Sequence, residues 1–173
     1  MRDNESTCKV TIDGTDFRIY EPAPFDPKWY SHKFHGPGLR YEVGVCIQTG
    51  WIVWRNGPFP CSKNDLQIAR SWLIYELDQG EKYLADGGYR DGGQFSETPN
   101  GLNNPDQKMK ALARARHETV NRRFKQFGIL SQRFRHSLNK HGAVFMAVAN
   151  ITQLAIMVDQ PLFNIEYYDS VID

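Results

Sequence analysis

Two segments of the sequence end in the same way, and together they decide the fold. Residues 10–15 are Val-Thr-Ile-Asp-Gly-Thr, and residues 83–89 are Tyr-Leu-Ala-Asp-Gly-Gly-Tyr. In each segment a short apolar run leads to an acid, Asp13 or Asp86, and then directly to a glycine. Such a run is typical of a strand that stops at a turn. The pattern predicts two strands that each present a carboxylate where the strand ends. Asp16 is an alternative to Asp13, although a turn or surface position suits Asp16 better.

A third acid lies inside a strongly basic stretch. Glu118 is the only acid between Lys108 and His141, a stretch that holds ten Lys or Arg residues and a net charge of +9. The remainder of the chain has a net charge of −8. This segregation favours a helix that meets a polyanion, with a solvated basic face as the alternative. An acid among cations stays ionised and can bind a metal ion. His117 is expected to contact phosphate or to lie at the surface.

The periodicity of apolar residues gives the order of the elements. Strands are predicted at residues 8–12, 17–20, 40–48, 51–55 and 81–85, with irregular segments at 21–37, 56–61 and 91–107. The last of these segments contains a candidate short strand near residues 95–98. A helix is predicted over residues 62–77, in which Ser62 and Asp65 form a capping box. The basic helix covers residues 108–134 with a break near Gly128, and an apolar helix covers residues 143–158. This order resembles that of α/β proteins with an RNase H-like mixed sheet and flanking helices. In that fold the strands that correspond to residues 8–12 and 81–85 are adjacent, which would make Asp13 and Asp86 neighbours.

Length and composition limit the class of protein. A chain of 173 residues with 40% hydrophobic residues can form one domain with a sizeable core, which we assign to residues 1–158, followed by a tail at 159–173. The sequence has no run of 18 apolar residues and no signal-peptide stretch. We expect a soluble protein without a membrane partner, located in the nucleus if the source is eukaryotic and otherwise in the cytoplasm. The three cysteines lack CxxC spacing and are expected to be reduced.

The three acids suggest a metal-dependent reaction. Carboxylates fixed at two strand ends and on one helix can hold two hard divalent ions, which activate a nucleophile and stabilise a leaving oxygen at phosphorus. Oxygen ligands suit Mg²⁺ or Mn²⁺ better than soft metals. The sequence therefore predicts phosphodiester chemistry, with Asp13, Asp86 and Glu118 as catalytic and metal-binding residues. Asp65 is a candidate additional metal ligand, although a role at its helix N-terminus is the stronger expectation.

At these residues the sequence resembles the DDE transposases of the Harbinger (PIF) type and their bacterial insertion-sequence relatives. The resemblance extends over about residues 10–156. It rests on four segments in the family's order: Asp-Gly-Thr at 13–15, the loop at 56–65 that ends in an Asp at a helix start, Leu-Ala-Asp-Gly-Gly-Tyr at 84–89, and the glutamate helix at 114–125.

Insertion-sequence relatives carry the signature Tyr-x2-Arg-x3-Glu-x6-Lys. Arg114, Glu118 and Lys125 match its last three positions, and Ala111 stands where Tyr is expected. Residues four and seven apart share one face of a helix, so Arg114 and Lys125 flank Glu118 on the side that would meet substrate. The departure at Ala111 concerns base stacking or strand positioning and leaves metal binding unaffected.

The resemblance implies two Mg²⁺ or Mn²⁺ ions, nicking of DNA, and attack of the freed 3′-OH on target DNA. The cations expected to bind DNA are Arg114, Arg122, Arg123 and Lys125. Harbinger-type transposases carry an N-terminal helical DNA-binding region before the first Asp, which this chain lacks, so we expect a fragment, a truncated remnant or a domesticated domain. A separate Myb-like DNA-binding protein and a second copy of the chain are the partners that the resemblance suggests besides DNA.

Two other interpretations remain open from the sequence. The chain could be a non-catalytic DNA- or protein-binding module that descends from a transposase, because truncation argues against autonomous transposition. It could also be an unrelated metal hydrolase or an RNase H-type enzyme that cleaves RNA–DNA hybrids. Divalent-metal binding separates the enzymes from the module, and the choice between duplex DNA and a hybrid separates the two nucleases.

Overall fold

A computed structural model describes residues 8–99 and 105–165 of the chain. Its strands are β1 (Cys8–Arg18), β2 (Tyr30–Ser31), β3 (Gly36–Cys46), β4 (Ile52–Pro60), β5 (Lys82–Leu84) and β6 (Ser96–Glu97). Its helices are α1 (Asp65–Ser71), α2 (Pro105–Phe124), α3 (Gly128–Ser131) and α4 (His141–Val158), with short 3-10 turns between them.

The six strands form one mixed sheet. The order is β2-β3-β1-β5-β6, and β4 pairs with β3 along the same edge as β2. β1 is antiparallel to β3 and parallel to β5, which is itself parallel to β6. Helices flank this sheet, so the prediction of an α/β mixed sheet of RNase H-like type is confirmed.

Two hydrophobic clusters cover the two faces of the sheet. On one face, Val43 and Val45 of β3 pack with Val120 and Phe124 of α2 and with Phe145 of α4. On the other face, smaller residues of α1 cover β1 and β5; this cluster includes Val10, Ile12, Ala69, Leu73, Tyr83 and Tyr89. The sheet is therefore enclosed by α2 and α4 on one side and by α1 on the other.

The first predicted turn is wrong. β1 continues without interruption through residues 13–16, and Asp13 pairs with Val43 in the middle of the strand. Asp16 is also neither a turn nor a surface residue: it is buried and forms an ion pair with Arg40 at 2.8 Å. An Asp-Gly pair predicts a turn only when no neighbouring strand pairs with it, and here β3 pairs with every residue from Val10 to Arg18.

Residues 56–60, predicted as a loop, belong to strand β4. β4 lies at an edge of the sheet, where proline can be tolerated because the missing N–H can face solvent. The predicted capping box at Ser62 is also wrong. Asn64 is the N-cap of α1, since its side chain accepts a hydrogen bond from the Gln67 N–H at 2.8 Å. Asp65 is therefore the first helical residue, and its carboxylate is available for other contacts.

The apolar helix α4 forms part of the core. By length and composition, residues Leu138–Val158 could cross a membrane. In the fold, however, Phe145, Ala149 and Ile156 are buried in the main hydrophobic cluster. The chain after α4 also contributes to this cluster, because Leu162 is buried there. The predicted tail at 159–173 is described as far as residue 165, and its last eight residues lie outside the described part.

Candidate active site

The predicted acids lie where β1 extends past β5. Leu84, the last residue of β5, is paired with Thr11 of β1 in a parallel register. β1 continues beyond this point to Arg18. Neighbouring strands lie about 4.8 Å apart, and following the register for two residues would set Asp86 opposite Asp13. The predicted adjacency of the two strands is confirmed, and it brings Asp86 towards Asp13.

Asp13 is partly buried between β1 and α2. Its Oδ2 atom accepts a hydrogen bond from Asn121 Nδ2 at 2.9 Å, and its Oδ1 atom accepts one from the Gly14 N–H at 2.8 Å. Two hydrogen bonds from different elements fix the orientation of the carboxylate. Each oxygen keeps a second lone pair with which it can bind a cation.

The electrostatic environment of Asp13 connects it to three other acids. Burial raises its pKa from 3.8 to about 6, while the nearby ammonium of Lys33 acts in the opposite direction. Three further carboxylates raise the pKa as well, namely those of Glu118, Asp86 and Asp65. All four acids are therefore close enough to interact through their charges, which is the arrangement that a divalent cation relieves.

Asp65 reaches this site through the gap that Gly14 leaves in the sheet. A Cβ atom on Gly14 would collide with Asp65 Oδ1, so the glycine is required for this close approach and not for a turn. Side chains alternate along a strand, so Asp65 approaches from the α1 face whereas Asp13 points to the α2 face. Burial raises the pKa of Asp65, and the Arg40 guanidinium, whose Nη1 donates to Asp65 Oδ1 at 3.0 Å, acts against this shift.

Asp86 is fixed by the short turn that follows β5. Its Oδ1 atom accepts a hydrogen bond from the Gly88 N–H at 2.8 Å, which caps the 3-10 turn Gly87–Tyr89. The position that a Cβ on Gly88 would occupy lies 3.1 Å from Asp86 Oδ1 and 3.2 Å from Asp65 Oδ2. The two carboxylates thus meet over Gly88, and a side chain at this position would separate them.

Glu118 lies on the exposed face of α2, one turn before Asn121. Its charge contributes to the raised pKa of Asp13. Within residues 8–99 and 105–165, however, no three His, Cys, Asp or Glu side chains are gathered closely enough to ligate one ion. The structure therefore brings Asp13, Asp65, Asp86 and Glu118 to one region without gathering them around a single point.

The residues next to Glu118 on the inner face of α2 have structural contacts that the sequence did not indicate. His117 is buried, and its Nδ1 lies 2.8 Å from the Thr11 hydroxyl. The expectation of a phosphate contact or a surface position for His117 is therefore wrong. Arg116 is also buried, and its Nη2 donates to the carbonyl oxygens of Cys46 and Ile47.

The four cations predicted to bind DNA do not share one face. Arg114, Arg122 and Lys125 lie within about 40° of Glu118 around the helix axis at 100° per residue, and Arg122 and Lys125 are exposed. Arg123 lies about 140° away from Glu118 by the same geometry. Its Nη1 atom donates to the Gln160 carbonyl at 2.6 Å, so it holds the chain that follows α4.

Three residues at the site were not indicated by the sequence. Asn121 donates a hydrogen bond directly to Asp13. The sequence does contain one signal for it, because a residue three positions after Glu118 lies on the same side of the helix. Lys33 donates to the Gly14 carbonyl at 2.6 Å. It belongs to a segment without periodicity, so nothing in the sequence indicated this contact. Glu42 is fully buried beneath the site and accepts from Trp54 Nε1 at 2.8 Å; burial raises its pKa to about 7. An acid in an alternating strand gives no signal that it points inward.

Comparison with known families identifies the chain. A family model described as DDE superfamily endonuclease matches residues 12–153, which is most of the chain. The chain belongs to the DDE superfamily endonuclease family. No match is found among curated proteins or among solved structures. The matched range of this DDE endonuclease domain begins one residue before Asp13 and contains Asp65, Asp86 and Glu118.

The acids of the DDE endonuclease domain suit a hard divalent cation. The candidate ligands are all carboxylates, and two of them have raised pKa values because they are buried near one another. Mg²⁺ and Mn²⁺ prefer oxygen ligands. Asp13, Asp86 and Glu118 would supply them, with Asp65 as an additional candidate that is already paired with Arg40.

Proposed function

We propose that this domain is a metal-dependent DNA endonuclease, the catalytic domain of a Harbinger-type transposase, that hydrolyses phosphodiester bonds and transfers strands. The observation that carries the proposal is the shared environment of Asp13, in which burial and three neighbouring carboxylates raise the pKa of its side chain to about 6. Repulsion between clustered carboxylates destabilises the fold, so the arrangement is favourable only when the carboxylates bind a cation. A strongly perturbed acid in an open site is a candidate for function.

The proposed cofactors are two Mg²⁺ or Mn²⁺ ions bound to Asp13, Asp86 and Glu118. When bound, divalent ions activate a water or 3′-OH nucleophile and stabilise the leaving oxygen. The protein's part is to hold the ligands in place: Asn121 and the Gly14 N–H orient Asp13, and the Gly88 N–H orients Asp86. Asp65, held by Arg40, adds negative charge from the other face of the sheet.

The proposed substrate is DNA, bound largely through its phosphates. Arg114, Arg122 and Lys125 lie on the same side of α2 as Glu118, so a strand held by these cations would pass the acids. Such contacts give affinity without sequence preference and make it depend on salt. Recognition of element ends is proposed to need a separate Myb-like protein or a second copy of the chain, in the nucleus of a eukaryotic host or in bacterial cytoplasm.

The experiment that tests this proposal compares wild-type protein with Asp86→Asn in two assays. In the first assay, Mg²⁺ or Mn²⁺ is titrated and the melting temperature is measured. An ion that binds only the folded state stabilises it by about 2.7 kcal/mol at a hundred times its Kd. In the second assay, nicking of supercoiled plasmid is followed. Wild-type protein is expected to show both effects, and Asp86→Asn is expected to show neither.

A matched variant controls for the loss of one negative charge. Asp159→Asn changes an exposed acid at the end of α4 and should keep both the metal-dependent melting shift and nicking. The apo form of Asp86→Asn should be at least as stable as wild type, because it removes one of the repelling carboxylates. Wild-type protein without a melting shift and without nicking would instead favour the binding-module interpretation.

A further inference from the structure

A cleft beside the acids is lined by cations from three separate parts of the chain. It has a volume of about 280 Å³. Arg18 comes from the end of β1, Lys33 from the segment between β2 and β3, and Lys125 from the residue after α2. The remaining lining residues are Asp16, Phe34, Leu130 and Ser131. Three cations that converge from distant parts of the sequence around one cleft suggest an anionic ligand.

The single acid in the cleft does not cancel this charge. Asp16 is already paired, since both its oxygens accept from the Arg40 guanidinium, at 2.8 and 3.1 Å. Its Oδ2 also accepts from the Ser31 hydroxyl at 2.6 Å. In the described part of the chain, residues 8–99 and 105–165, neither Arg18 nor Lys125 forms an ion pair with an acid. The cleft therefore has an excess of positive charge.

Lys33 is held in place at the edge of the cleft. Its ammonium donates to the Gly14 carbonyl at 2.6 Å, and its backbone N–H donates to the Ser31 hydroxyl at 3.2 Å. Because Ser31 is bonded to Asp16, the turn that carries Lys33 is connected to β1. An ammonium has three N–H donors, and the Gly14 carbonyl takes one of them. Lys33 thus presents an oriented charge one residue from Asp13.

Phe34 fixes the other wall of the cleft. A Cβ atom on Gly38 would lie 2.5 Å from Phe34 Cζ, so the ring occupies the space that the glycine leaves on β3. The Arg18 guanidinium carbon lies 4.8 Å from the centre of this ring, within the range of a cation–π contact. The ring and the guanidinium therefore restrain each other. This contact positions Arg18 while leaving its N–H groups available to donate hydrogen bonds to a ligand.

We propose that this cleft binds a backbone phosphate of the DNA strand, next to the phosphate that is cleaved. The inference rests on the proposed function, because it takes DNA as the ligand. Lys33 and Arg18 would hold the phosphate from the β1 side and Lys125 from the α2 side, with the acids of Asp13 and Glu118 nearby. The strand is then gripped on two sides of the site, and Lys33 serves as a positioning residue that sets which phosphate lies over the acids.

The test pairs single-residue changes in the protein with single-phosphate changes in the DNA. Binding of a duplex oligonucleotide is measured with EDTA present, so that no cleavage occurs, and each phosphate of one strand is replaced in turn by a neutral methylphosphonate. Wild-type protein should lose affinity when one particular phosphate is neutralised. Lys33→Gln should bind unmodified DNA about tenfold more weakly, with a salt dependence reduced by about one phosphate contact, and should no longer respond to that methylphosphonate.

Matched variants separate a specific contact from general loss of charge. Arg70→Gln removes an exposed cation of α1 that does not line the cleft, and it should keep both the affinity and the methylphosphonate response. Arg18→Gln should behave like Lys33→Gln, and Lys33→Arg should restore most of the binding. Melting temperatures establish that each variant is folded.

The outcomes distinguish the cleft from the nuclease activity. An unchanged methylphosphonate response in Lys33→Gln, or equal losses in Lys33→Gln and Arg70→Gln, would overturn the phosphate site even if the protein nicks DNA. A response that is lost in Lys33→Gln would support the site even if the protein cleaves nothing, in which case only the proposed activity fails. A wild-type protein that binds no DNA would overturn both.

Discussion

Both faces of α2 carry charged or polar residues, and these have entirely different surroundings in the fold. The outer face carries Glu118 and Arg122, which are exposed, and Arg114, which is partly exposed. The inner face carries Arg116 and His117, which are buried and contact β1 and the end of β3. A helix in a sequence with this much charge is easily taken as a surface element. Here its polar residues divide between those that hold the helix on the sheet and those that face solvent.

The two faces of α2 differ because the sheet provides hydrogen-bond partners for the polar residues of the inner face. At the inner face, carbonyl oxygens at the end of β3 and the hydroxyl of Thr11 accept or donate hydrogen bonds, so a guanidinium and an imidazole can be buried there. At the outer face, within the described residues, Arg122 has no such partner in the protein. Changing residues on each face in turn should therefore affect stability on one side and activity on the other.

The largest effect is expected from the acid on the outer face. Glu118→Gln should reduce nicking by about a thousandfold, because loss of a metal ligand removes several kcal/mol of charge stabilisation and each 1.4 kcal/mol is a factor of ten. The melting temperature of the apo protein should not fall. Rates of plasmid nicking and apo melting curves check this pair of results. Nicking within tenfold of wild type would exclude Glu118 from the site.

A large loss of stability is expected from the inner face. Arg116→Ala should lower the free energy of unfolding by about 3 kcal/mol, because hydrogen bonds from a buried charged group are lost and carbonyl oxygens are left without partners. Urea denaturation measures the change. Arg114→Ala, which removes the same charge two residues earlier on the other side of the helix, should stay within about 0.5 kcal/mol of wild type. Equal losses in both variants would remove the distinction between the two faces.

A pH effect should arise from His117. Burial lowers its pKa from 6.5 to about 3, so the folded protein keeps the imidazole neutral while the unfolded chain takes up a proton. Stability is therefore full above pH 6.5 and is lost as the pH falls towards 3, by about 2 kcal/mol between pH 6.5 and 5.

The comparison with His117→Asn isolates this effect. Asp13 acts in the opposite sense, since its raised pKa makes the apo protein lose stability as the pH rises from 3.8 to about 6. Because this contribution is present in both proteins, it cancels in the difference. The variant should be less stable at pH 7, and the gap between the two should narrow as the pH falls. A constant gap would show that His117 is not held neutral in the fold.

The smallest effect concerns two adjacent arginines. Arg122→Ala should weaken DNA binding a few-fold and reduce the salt dependence by about one phosphate contact, uniformly across sequences. Arg123→Ala should leave the salt dependence unchanged and instead lower the unfolding free energy by about 1 kcal/mol, since it donates to the Gln160 carbonyl. Filter binding at several salt concentrations and urea melts distinguish the two variants. The opposite assignment of effects would mean that Arg123 faces the DNA.

The sequence predicts the secondary-structure elements better than it predicts the tertiary contacts of individual side chains. The adjacency of β1 and β5, and hence the approach of Asp86 to Asp13, was implied by the resemblance of the element order to an RNase H-like fold, and the structure shows the pairing to be parallel. The break of the basic helix near Gly128 and the extent of α4 were predicted within a few residues. The extents of the helices depend on local periodicity, whereas the strand adjacency is a property of the fold that the element order resembles.

What the sequence could not indicate depends on contacts between distant residues. Gly14 suggests a turn until it is known that Asp65 lies against it from the other side of the sheet. Lys33 belongs to an irregular segment, and only the tertiary structure brings it to the Gly14 carbonyl. Among the ten cations of the basic stretch, Lys110 pairs with Glu97 at 2.9 Å and Arg116 is buried, so counting charges overstated the number available to a polyanion.

Because Gly14 leaves room for Asp65, helices on both faces of the sheet contribute to the acid site. Asp13 is oriented by α2 on one side, and Asp65 arrives with α1 on the other. Without α1 the site would keep Asp13 and its contact with Asn121 but would lose Asp65. A side chain at position 14 would displace Asp65, so the arrangement of acids depends on Gly14 as well as on the carboxylates themselves.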